Sequence, residues 1–238
     1  MPKRFAVRPP ELFPRCSYCA LADYVDELIL ADTFLYSRQS HQNRTPIRTP
    51  DGRMWLTVPL EHGGGGVSIR DARPAGRLWA GKFRRALRFN YSATPYYEHY
   101  IDGVVNLINR ELTSLGELTV AATRLVLDML RIETSIITAS SLPSPLRRLN
   151  DVVDVWDGRL AVPDEAAAHD QRLVSALDVT SLHDTPYRQA FDGFEPDLSA
   201  LDLLFNWGPE ALTMLRERRN VEPIGKGHVK PAPTENVG

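Results

Sequence analysis

The chain has 238 residues, of which 43% are hydrophobic and 24% are charged, a composition typical of a globular protein with a buried core. Its net charge of -2 gives no overall attraction to nucleic acid or to anionic lipid. No apolar run approaches the roughly 18 residues that a membrane-spanning helix needs, and the N-terminus does not match a secretory signal. The two cysteines, Cys16 and Cys19, do not form the pattern of a disulfide framework. We therefore expect a soluble, cytoplasmic protein.

The first part of the chain predicts a βαβ unit. Residues 5–8 (FAVR) form a short apolar run before two prolines, which is typical of the end of a buried strand. Ser17 can cap a helix with apolar residues at helical spacing, and residues 28–31 (LILA) predict a second buried strand. A strand, a helix and a strand within this length imply parallel pairing of the two strands.

A β-hairpin is predicted next. The segments RTPIRT and RMWLTVPL flank a turn at residues 50–52, and the second segment alternates apolar and polar residues. The glycine run at residues 63–66 predicts a mobile loop, because it lacks the Lys-Ser/Thr ending of a phosphate-binding loop. Residues 67–73 (VSIRDAR) predict one more short strand.

The middle of the chain predicts three helices. The first, over residues 77–90, has an apolar face formed by Leu78, Trp79, Phe83, Ala86 and Leu87. Pro95 can open the second helix, and Ser114 with Glu117 forms a capping-box pattern before the third. Because three helices exceed a simple crossover, we predict a helical subdomain over about residues 76–132.

The last third predicts alternating elements and a tail. Strands are expected at residues 134–139, 159–162 and 178–181, and helices from Ser144, over residues 164–177 and from Asp197 to about Gly208. Residues 222–238 predict a disordered tail. The predicted fold is a single α/β domain over residues 1–221, with a mixed, mostly parallel sheet, flanking helices, a β-hairpin and a helical insertion.

Polar residues follow the second predicted strand. If the first two strands are parallel neighbours, Arg8 and Asp32 lie at their carboxyl ends, where open α/β sheets bind ligands. Tyr36, His41 and Arg44 would then converge on the same crevice. A solvated loop with local capping bonds is the alternative interpretation.

Other groups also have two interpretations. Cys16 and Cys19 are either buried residues at a helix start or, for Cys16, an acyl-accepting nucleophile; a zinc site lacks further ligands, and we predict no metal site. Ser140 and Ser141, near Arg148, suit an anion or simply cap a helix. The basic residues of the 77–90 helix most simply face water, and no basic excess elsewhere supports nucleic-acid binding.

Four tyrosines lie within residues 89–100 (FNYSATPYYEHY). Tyr97 is expected to face the core. Tyr91, Tyr96 and Tyr100 have hydroxyl groups that could line a pocket, because tyrosine offers an apolar ring for packing and a hydroxyl for hydrogen bonds. Packing in the core is the alternative for these three side chains.

Two long motifs resemble those of the WbqC-like family. The opening motif is FPRCSYCALADYVDELILADTFLYSRQSHQNRTPIRTPDGRMWLTVPL, and the closing motif is TPYRQAFDGFEPDLSALDLLFNWG. The resemblance extends from about Phe5 to Arg219. The chain departs from the family pattern at Arg8, where Gln is usual before proline, and after Arg148, where a Gly-rich, Tyr-containing loop is expected.

The resemblance implies an enzyme of bacterial surface-polysaccharide (O-antigen) biosynthesis that transfers an aminoacyl (glycyl) or acyl group to a sugar or nucleotide-sugar. A noncatalytic sugar-binding or accessory protein of the same pathway is the alternative. The sequence does not identify a cofactor, the donor or the oligomeric state.

The predicted site has Asp32 or His41 as the catalytic base. The predicted substrate-binding residues are Tyr36, Asn43, Arg44, Arg148, Tyr187, Gln189, Asp202 and Asn206. Asp202 and Asn206 are four residues apart on one helix face, so with Tyr187 and Gln189 they either close a pocket or face water. The prediction requires residues 32–44 to share a cavity with residues 187–206.

Overall fold

The computed structural model describes residues 4–143, 159–162, 173–175 and 186–219. Its strands are β1 (Arg4–Arg8), β2 (Glu27–Leu30), β3 (Arg44–Thr49), β4 (Gly52–Thr57), β5 (Ser135–Thr138), β6 (Arg159–Val162) and β7 (Leu173–Ser175). Its α-helices are α1 (Cys16–Tyr24), α2 (Leu78–Tyr91), α3 (Tyr97–Asn109), α4 (Leu115–Met129), α5 (Ala200–Trp207) and α6 (Ala211–Arg218).

The central sheet has the strand order β5-β2-β1-β6-β7, and every neighbouring pair is parallel. The predicted βαβ unit is confirmed, since β1 pairs with β2 in parallel, with Arg8 opposite Leu30. The predicted hairpin is also confirmed: β3 and β4 form a separate antiparallel pair. The chain leaves β1 toward β2 on one side while β6 lies on the other side, so the topological switch point lies between β1 and β6.

The helices and the sheet share one apolar core. Strands β1 and β2 are buried along most of their length, as expected for central parallel strands covered on both faces. Helix α5 contacts α1, α3 and α4, and its Phe205 ring lies 5.1 Å from the Tyr91 ring and 5.3 Å from the Tyr97 ring, measured between centroids. The closing motif therefore forms the centre of the helical layer. No helix within residues 4–143 and 186–219 has the length and apolar character needed to cross a membrane.

Several local predictions are wrong. Ser17 does not cap α1, because the helix already begins at Cys16 and Ser17 lies in its first turn. Leu78 is 88% exposed rather than part of the core face, because it lies five residues, or roughly 140° around the helix, from the buried Phe83. The helix expected over residues 164–177 is contradicted by β7, where pairing with β6 overrides local helical propensity.

Other predictions lie outside the described residues. They are the helix from Ser144, the strand over residues 178–181, Arg148 and the tail over residues 222–238.

Residues 67–73 do not form the regular strand that was predicted. They run beside residues 32–36, with backbone hydrogen bonds from Tyr36 N to the Val67 carbonyl (2.9 Å) and from Ile69 N to the Phe34 carbonyl (2.9 Å). Only an isolated bridge, between Leu35 and Ser68, meets the pattern of strand pairing. The Ser68 carbonyl accepts hydrogen bonds from the amides of Asp71 and Ala72, so the chain turns directly after Ser68. Strand pairing with residues 32–36 therefore cannot continue.

The start of α4 clamps this turn. The Leu115 amide donates to the Ala72 carbonyl at 2.7 Å. Gly116 lies so close to the turn that an added Cβ would stand 2.6 Å from the Arg70 Cα and 3.2 Å from the Arg70 nitrogen. Only a residue without a side chain allows this approach, so Gly116 fixes the distance between α4 and residues 68–73.

We predict that Gly116→Ala destabilises the protein by about 1 to 3 kcal/mol, because the backbone of Arg70 must move to admit the methyl group. The matched control is Gly81→Ala in α2, where the nearest atom to the added Cβ is the flexible end of Arg85 at 3.5 Å. Alanine is the better helix former, so this control should be neutral or gain up to about 1 kcal/mol. Urea denaturation measures both changes, and equal effects of the two substitutions would contradict the close approach.

Candidate functional site

Asp32 follows β2 directly and connects three segments of the chain. Its side-chain Oδ1 accepts a hydrogen bond from the Ser140 amide at 2.9 Å, and its carbonyl accepts one from the Arg70 amide at 2.8 Å. The residue before it, Ala31, donates its amide to the Arg8 carbonyl at 2.9 Å. The carboxylate therefore has a fixed orientation at the carboxyl edge of the sheet, where the sequence predicted a ligand site.

A polar cleft of about 450 Å³ opens beside this carboxylate, and we call it the Asp32 cleft. Its lining residues are Asp32, Arg70, Asp71, Arg73, Thr113, Ser114, Gly116, Glu117, Val120, Thr138 and Ser140. They come from the ends of β2 and β5, from the turn at residues 68–73 and from the N-terminus of α4. The volume is within the usual range for small-molecule sites, roughly 300–1,000 Å³.

The charged side chains of the cleft differ in whether neighbouring residues already form hydrogen bonds with them. Glu117 accepts hydrogen bonds from the Thr113 amide (2.9 Å) and hydroxyl (3.1 Å), which lower the pKa of its carboxyl group. Asp71 accepts a hydrogen bond from the Ser68 hydroxyl at 2.6 Å. The side chains of Arg70 and Arg73 are exposed at the rim. The two guanidinium groups can thus bind an anion, and the Asp32 carboxylate can accept a proton.

His41 and Arg44 form a second cluster, around Trp55. The Arg44 guanidinium carbon lies 4.2 Å from the centre of the indole ring, and the His41 ring lies 5.3 Å from it. Burial lowers the pKa of His41, although Glu11 opposes this shift, so the imidazole is neutral near pH 7 and can accept a proton. This cluster lies on the hairpin and is not part of the lining of the Asp32 cleft.

Tyr36 and Asn43 have mainly structural contacts. The Asn43 side-chain amide is buried and donates to the Val58 carbonyl at 2.9 Å, which fixes the end of the hairpin. The Tyr36 ring packs against Gly64, where an added Cβ would stand 2.7 Å from its Cδ1. Burial raises the pKa of the Tyr36 hydroxyl, and the nearby Arg44 opposes this shift.

The closing motif builds a buried cluster around Asp202. Its Oδ1 accepts a hydrogen bond from the Tyr91 hydroxyl at 3.0 Å, and its Oδ2 accepts one from the Tyr187 hydroxyl at 2.8 Å. The Tyr91 hydroxyl in turn accepts from the Arg48 amide at 2.8 Å. Tyr91 is fully buried and does not border a cleft, because its hydroxyl finds partners inside the fold. Packing in the core, the alternative interpretation of its position, is therefore correct. Tyr97 faces the core as predicted.

Asn206 and Gln189 lie near this cluster but bond to backbone atoms. Asn206 Nδ2 donates to the Asp202 carbonyl at 2.7 Å, one turn earlier in α5. Gln189 donates to the Glu195 carbonyl (2.8 Å) and accepts from the Glu195 amide (2.9 Å), so it closes a short loop. Both side chains fix local backbone rather than facing the Asp32 cleft.

The opening and closing motifs meet at the start of α1. Asp197 accepts hydrogen bonds from the Ser17 amide and hydroxyl, both at 2.9 Å, and so supplies the cap that Ser17 does not. Its Oδ2 also contacts Arg15 Nη1 at 2.8 Å. Ser199 donates its amide to the Pro46 carbonyl at 2.9 Å, which ties the hairpin to α5.

The two cysteines lie inside the core. Burial raises the pKa of both thiols well above the ordinary value, and the carboxylates of Asp197 and Asp202 add to the shift at Cys16. A thiol that remains protonated is a poor nucleophile. The geometry therefore agrees with the interpretation of Cys16 and Cys19 as buried residues at the helix start and does not support Cys16 as an acyl acceptor.

The structure thus distributes the predicted site residues over three places. Among the described residues of that set, Asp32 is the one that lines the Asp32 cleft. Sequence reasoning did not single out Arg70 and Arg73, because nothing in VSIRDAR marks the turn that brings them to the sheet edge. The sequence did predict the capping box at Ser114 and Glu117. This helix start, which follows the turn in the chain, was the one signal for the cleft that the sequence offered. Within the described residues, no three His, Cys, Asp or Glu side chains are grouped to hold a metal ion.

Comparisons with known proteins agree with the two motifs. The model of the WbqC-like protein family matches residues 9–214. The uncharacterized protein Rv1507c of Mycobacterium tuberculosis is 29% identical over 228 residues, which cover 90% of this chain and 98% of that protein. No solved structure shows a significant match.

Asp202 predicts a specific pH dependence of stability. Burial raises its pKa to about 6, although the hydrogen bonds from Tyr187 and Tyr91 oppose this shift. The folded state therefore holds a proton that the unfolded chain loses near pH 4, so the stabilising contribution is present below pH 4 and is lost as the pH rises through 6. From pH 4.5 to 7.5 the free energy of unfolding of the wild type should fall by about 2 kcal/mol relative to Asp202→Asn.

The control for this comparison is Asp102→Asn, an exposed acid of α3. Its stability should run parallel to that of the wild type across the same pH range in urea denaturation. A constant difference between the wild type and Asp202→Asn would show that Asp202 does not titrate in this range.

Proposed function

Since the chain belongs to the WbqC-like protein family, we propose that it is an enzyme of bacterial surface-polysaccharide (O-antigen) biosynthesis that transfers an acyl or aminoacyl group to a sugar bound in the Asp32 cleft. The observation that carries the proposal is the fixed Asp32 carboxylate beside a polar cleft at the carboxyl edge of a parallel sheet. Open α/β folds bind their ligands outside the carboxyl ends of the strands; the Asp32 cleft lies at the ends of β2 and β5, beside rather than at the switch point between β1 and β6.

The cleft is lined by two arginines and three carboxylates, so it suits a polar substrate, and the arginines suit an anionic group on that substrate. Arg70 and Arg73 at the rim suit the diphosphate of a nucleotide-sugar, because a guanidinium group binds phosphate oxygens in pairs. The hydroxyl groups of Thr113 and Ser114, which also bond to Glu117, can form hydrogen bonds with sugar hydroxyls. A purely apolar ligand would leave these groups without partners.

Direct transfer fits the described residues better than a covalent acyl-enzyme. Asp32 would take the proton from the acceptor hydroxyl or amine while that oxygen or nitrogen forms a bond to the acyl carbonyl carbon. The bond to the donor's leaving group then breaks, and the leaving group departs with the electron pair. The Ser140 amide would hold Asp32 in the orientation that this proton transfer requires. Both cysteines are buried with protonated thiols, so neither offers a nucleophile.

A noncatalytic sugar-binding or accessory protein of the same pathway is the second candidate. The hydrogen bond from the Ser140 amide to Asp32 Oδ1 favours this second candidate. A carboxylate whose role is to hold the Ser140 segment in place does not have to accept a proton from a substrate. The two candidates share the binding site and differ in whether Asp32 accepts a proton from the ligand.

We expect Asp32→Asn to bind nucleotide-sugars but to lose at least about a hundredfold in turnover, because the amide keeps the shape of the side chain without its basicity. Arg70→Ala should instead weaken binding by about tenfold, because it removes one anion contact and leaves the backbone bond to Asp32 intact. Thermal shifts with uridine and thymidine diphosphate sugars measure binding. Mass spectrometry of the sugar after incubation with glycyl and acyl donors measures transfer.

The matched control is again Asp102→Asn, which should bind and turn over like the wild type. Equal turnover by Asp32→Asn and this control would exclude Asp32 as the base. Binding that needs Arg70, together with no transfer by the wild type from any donor, would favour the accessory protein. Binding that neither substitution changes would reject the Asp32 cleft as the site.

A further inference from the structure

Helix α2 carries two large apolar side chains on its outside. Leu78 is 88% exposed and Phe89 is 80% exposed, although both are far larger than a surface position requires. They are eleven residues apart, which corresponds to about three turns, so they lie within roughly 20° of each other around the helix and about 16 Å apart along it. The two side chains therefore project along the same outward line of α2 rather than from separate faces of the helix.

Cations lie between and beside these two side chains. Lys82 and Arg85 fall within the same arc of roughly 60°, directly opposite the buried face at Phe83 and Leu87. We call Leu78, Lys82, Arg85 and Phe89 the α2 outer face. Arg88 and Arg84 lie to one side of this face, roughly 60° and 100° beyond Arg85 around the helix, and no acidic residue occurs anywhere in Leu78–Tyr91.

The helix itself is rigidly held. Trp79, Phe83, Leu87 and Tyr91 anchor its inner face in the core, and the Trp79 and Phe83 rings pack edge to face with centroids 5.3 Å apart. The surface that α2 presents to a partner is therefore preformed, and the helix backbone loses little conformational entropy on binding.

We infer that the α2 outer face docks the protein on an anionic lipid membrane. A bilayer surface presents negative headgroups above an apolar layer, so it matches cations that alternate with Leu and Phe on one exposed line. A nucleic acid would bind the four cations but leave the apolar side chains unused. An acidic protein partner would need an apolar groove to receive Leu78 and Phe89, whereas a flat interface admits both. The overall charge of -2 does not oppose this, because α2 alone carries four positive charges at its surface.

This inference is independent of the proposed enzymatic function. No residue of α2 lines the Asp32 cleft, so membrane docking and ligand binding can fail separately. Attachment through α2 would place the protein on the surface of the membrane rather than across it.

The test uses the full chain and sedimentation with lipid vesicles. The wild type should bind vesicles that contain phosphatidylglycerol, should bind pure phosphatidylcholine vesicles at least tenfold more weakly, and should dissociate as salt is raised. Leu78→Ser/Phe89→Ser and Lys82→Gln/Arg85→Gln should each reduce binding to the anionic vesicles by roughly tenfold. Because all four side chains are exposed, these variants should remain folded by circular dichroism.

Two controls separate a specific face from general charge or apolarity. Leu35→Ser removes another exposed apolar side chain, and Arg124→Gln/Arg131→Gln removes two exposed cations of another region; both should bind like the wild type. Equal loss in test and control variants would overturn the inference. So would binding to DNA or polyglutamate in place of vesicles, or self-association without lipid that Leu78→Ser/Phe89→Ser abolishes.

Discussion

The geometry of the candidate site depends on the hydrogen bonds of one residue, Asp32. Its side chain accepts a hydrogen bond from the Ser140 amide, and its carbonyl accepts one from the Arg70 amide. These two bonds connect the ends of β2 and β5 with the turn at residues 68–73. Because Gly116 lets α4 approach the same turn, the helix N-terminus completes the cleft. A shift in any of these contacts would change the distance between the carboxylate and the rim arginines.

The opening and closing motifs meet, but their contact supports the fold rather than the cleft. Asp197 caps α1 from nearly the other end of the chain, and Asp202 binds Tyr91 and Tyr187 in the core. The motif residues that carry the family resemblance thus divide into three groups. Those of the closing motif organise the helical layer, Asp32 from the opening motif reaches the sheet edge, and His41 and Arg44 from the same motif pack beside Trp55.

Sequence reasoning predicted the features that depend on local patterns. Apolar runs and turn residues identified β1, β2 and the hairpin, and the Ser114–Glu117 spacing identified the start of α4. It could not predict contacts between distant segments, such as the approach of Arg70 to Asp32, because no local period encodes them. Leu78 was assigned to the wrong face for a related reason. The sequence alone does not show whether an apolar residue next to the buried face of a helix packs in the core or is exposed to solvent.

The most direct measurement is a crystal structure of the chain with a nucleotide-sugar that stabilises it in solution. The account predicts phosphate groups against Arg70 and Arg73 and a sugar hydroxyl or amine within hydrogen-bond distance of the Asp32 carboxylate. A ligand bound elsewhere, for example on the Trp55 ring beside His41, with the Asp32 cleft unchanged, would contradict it.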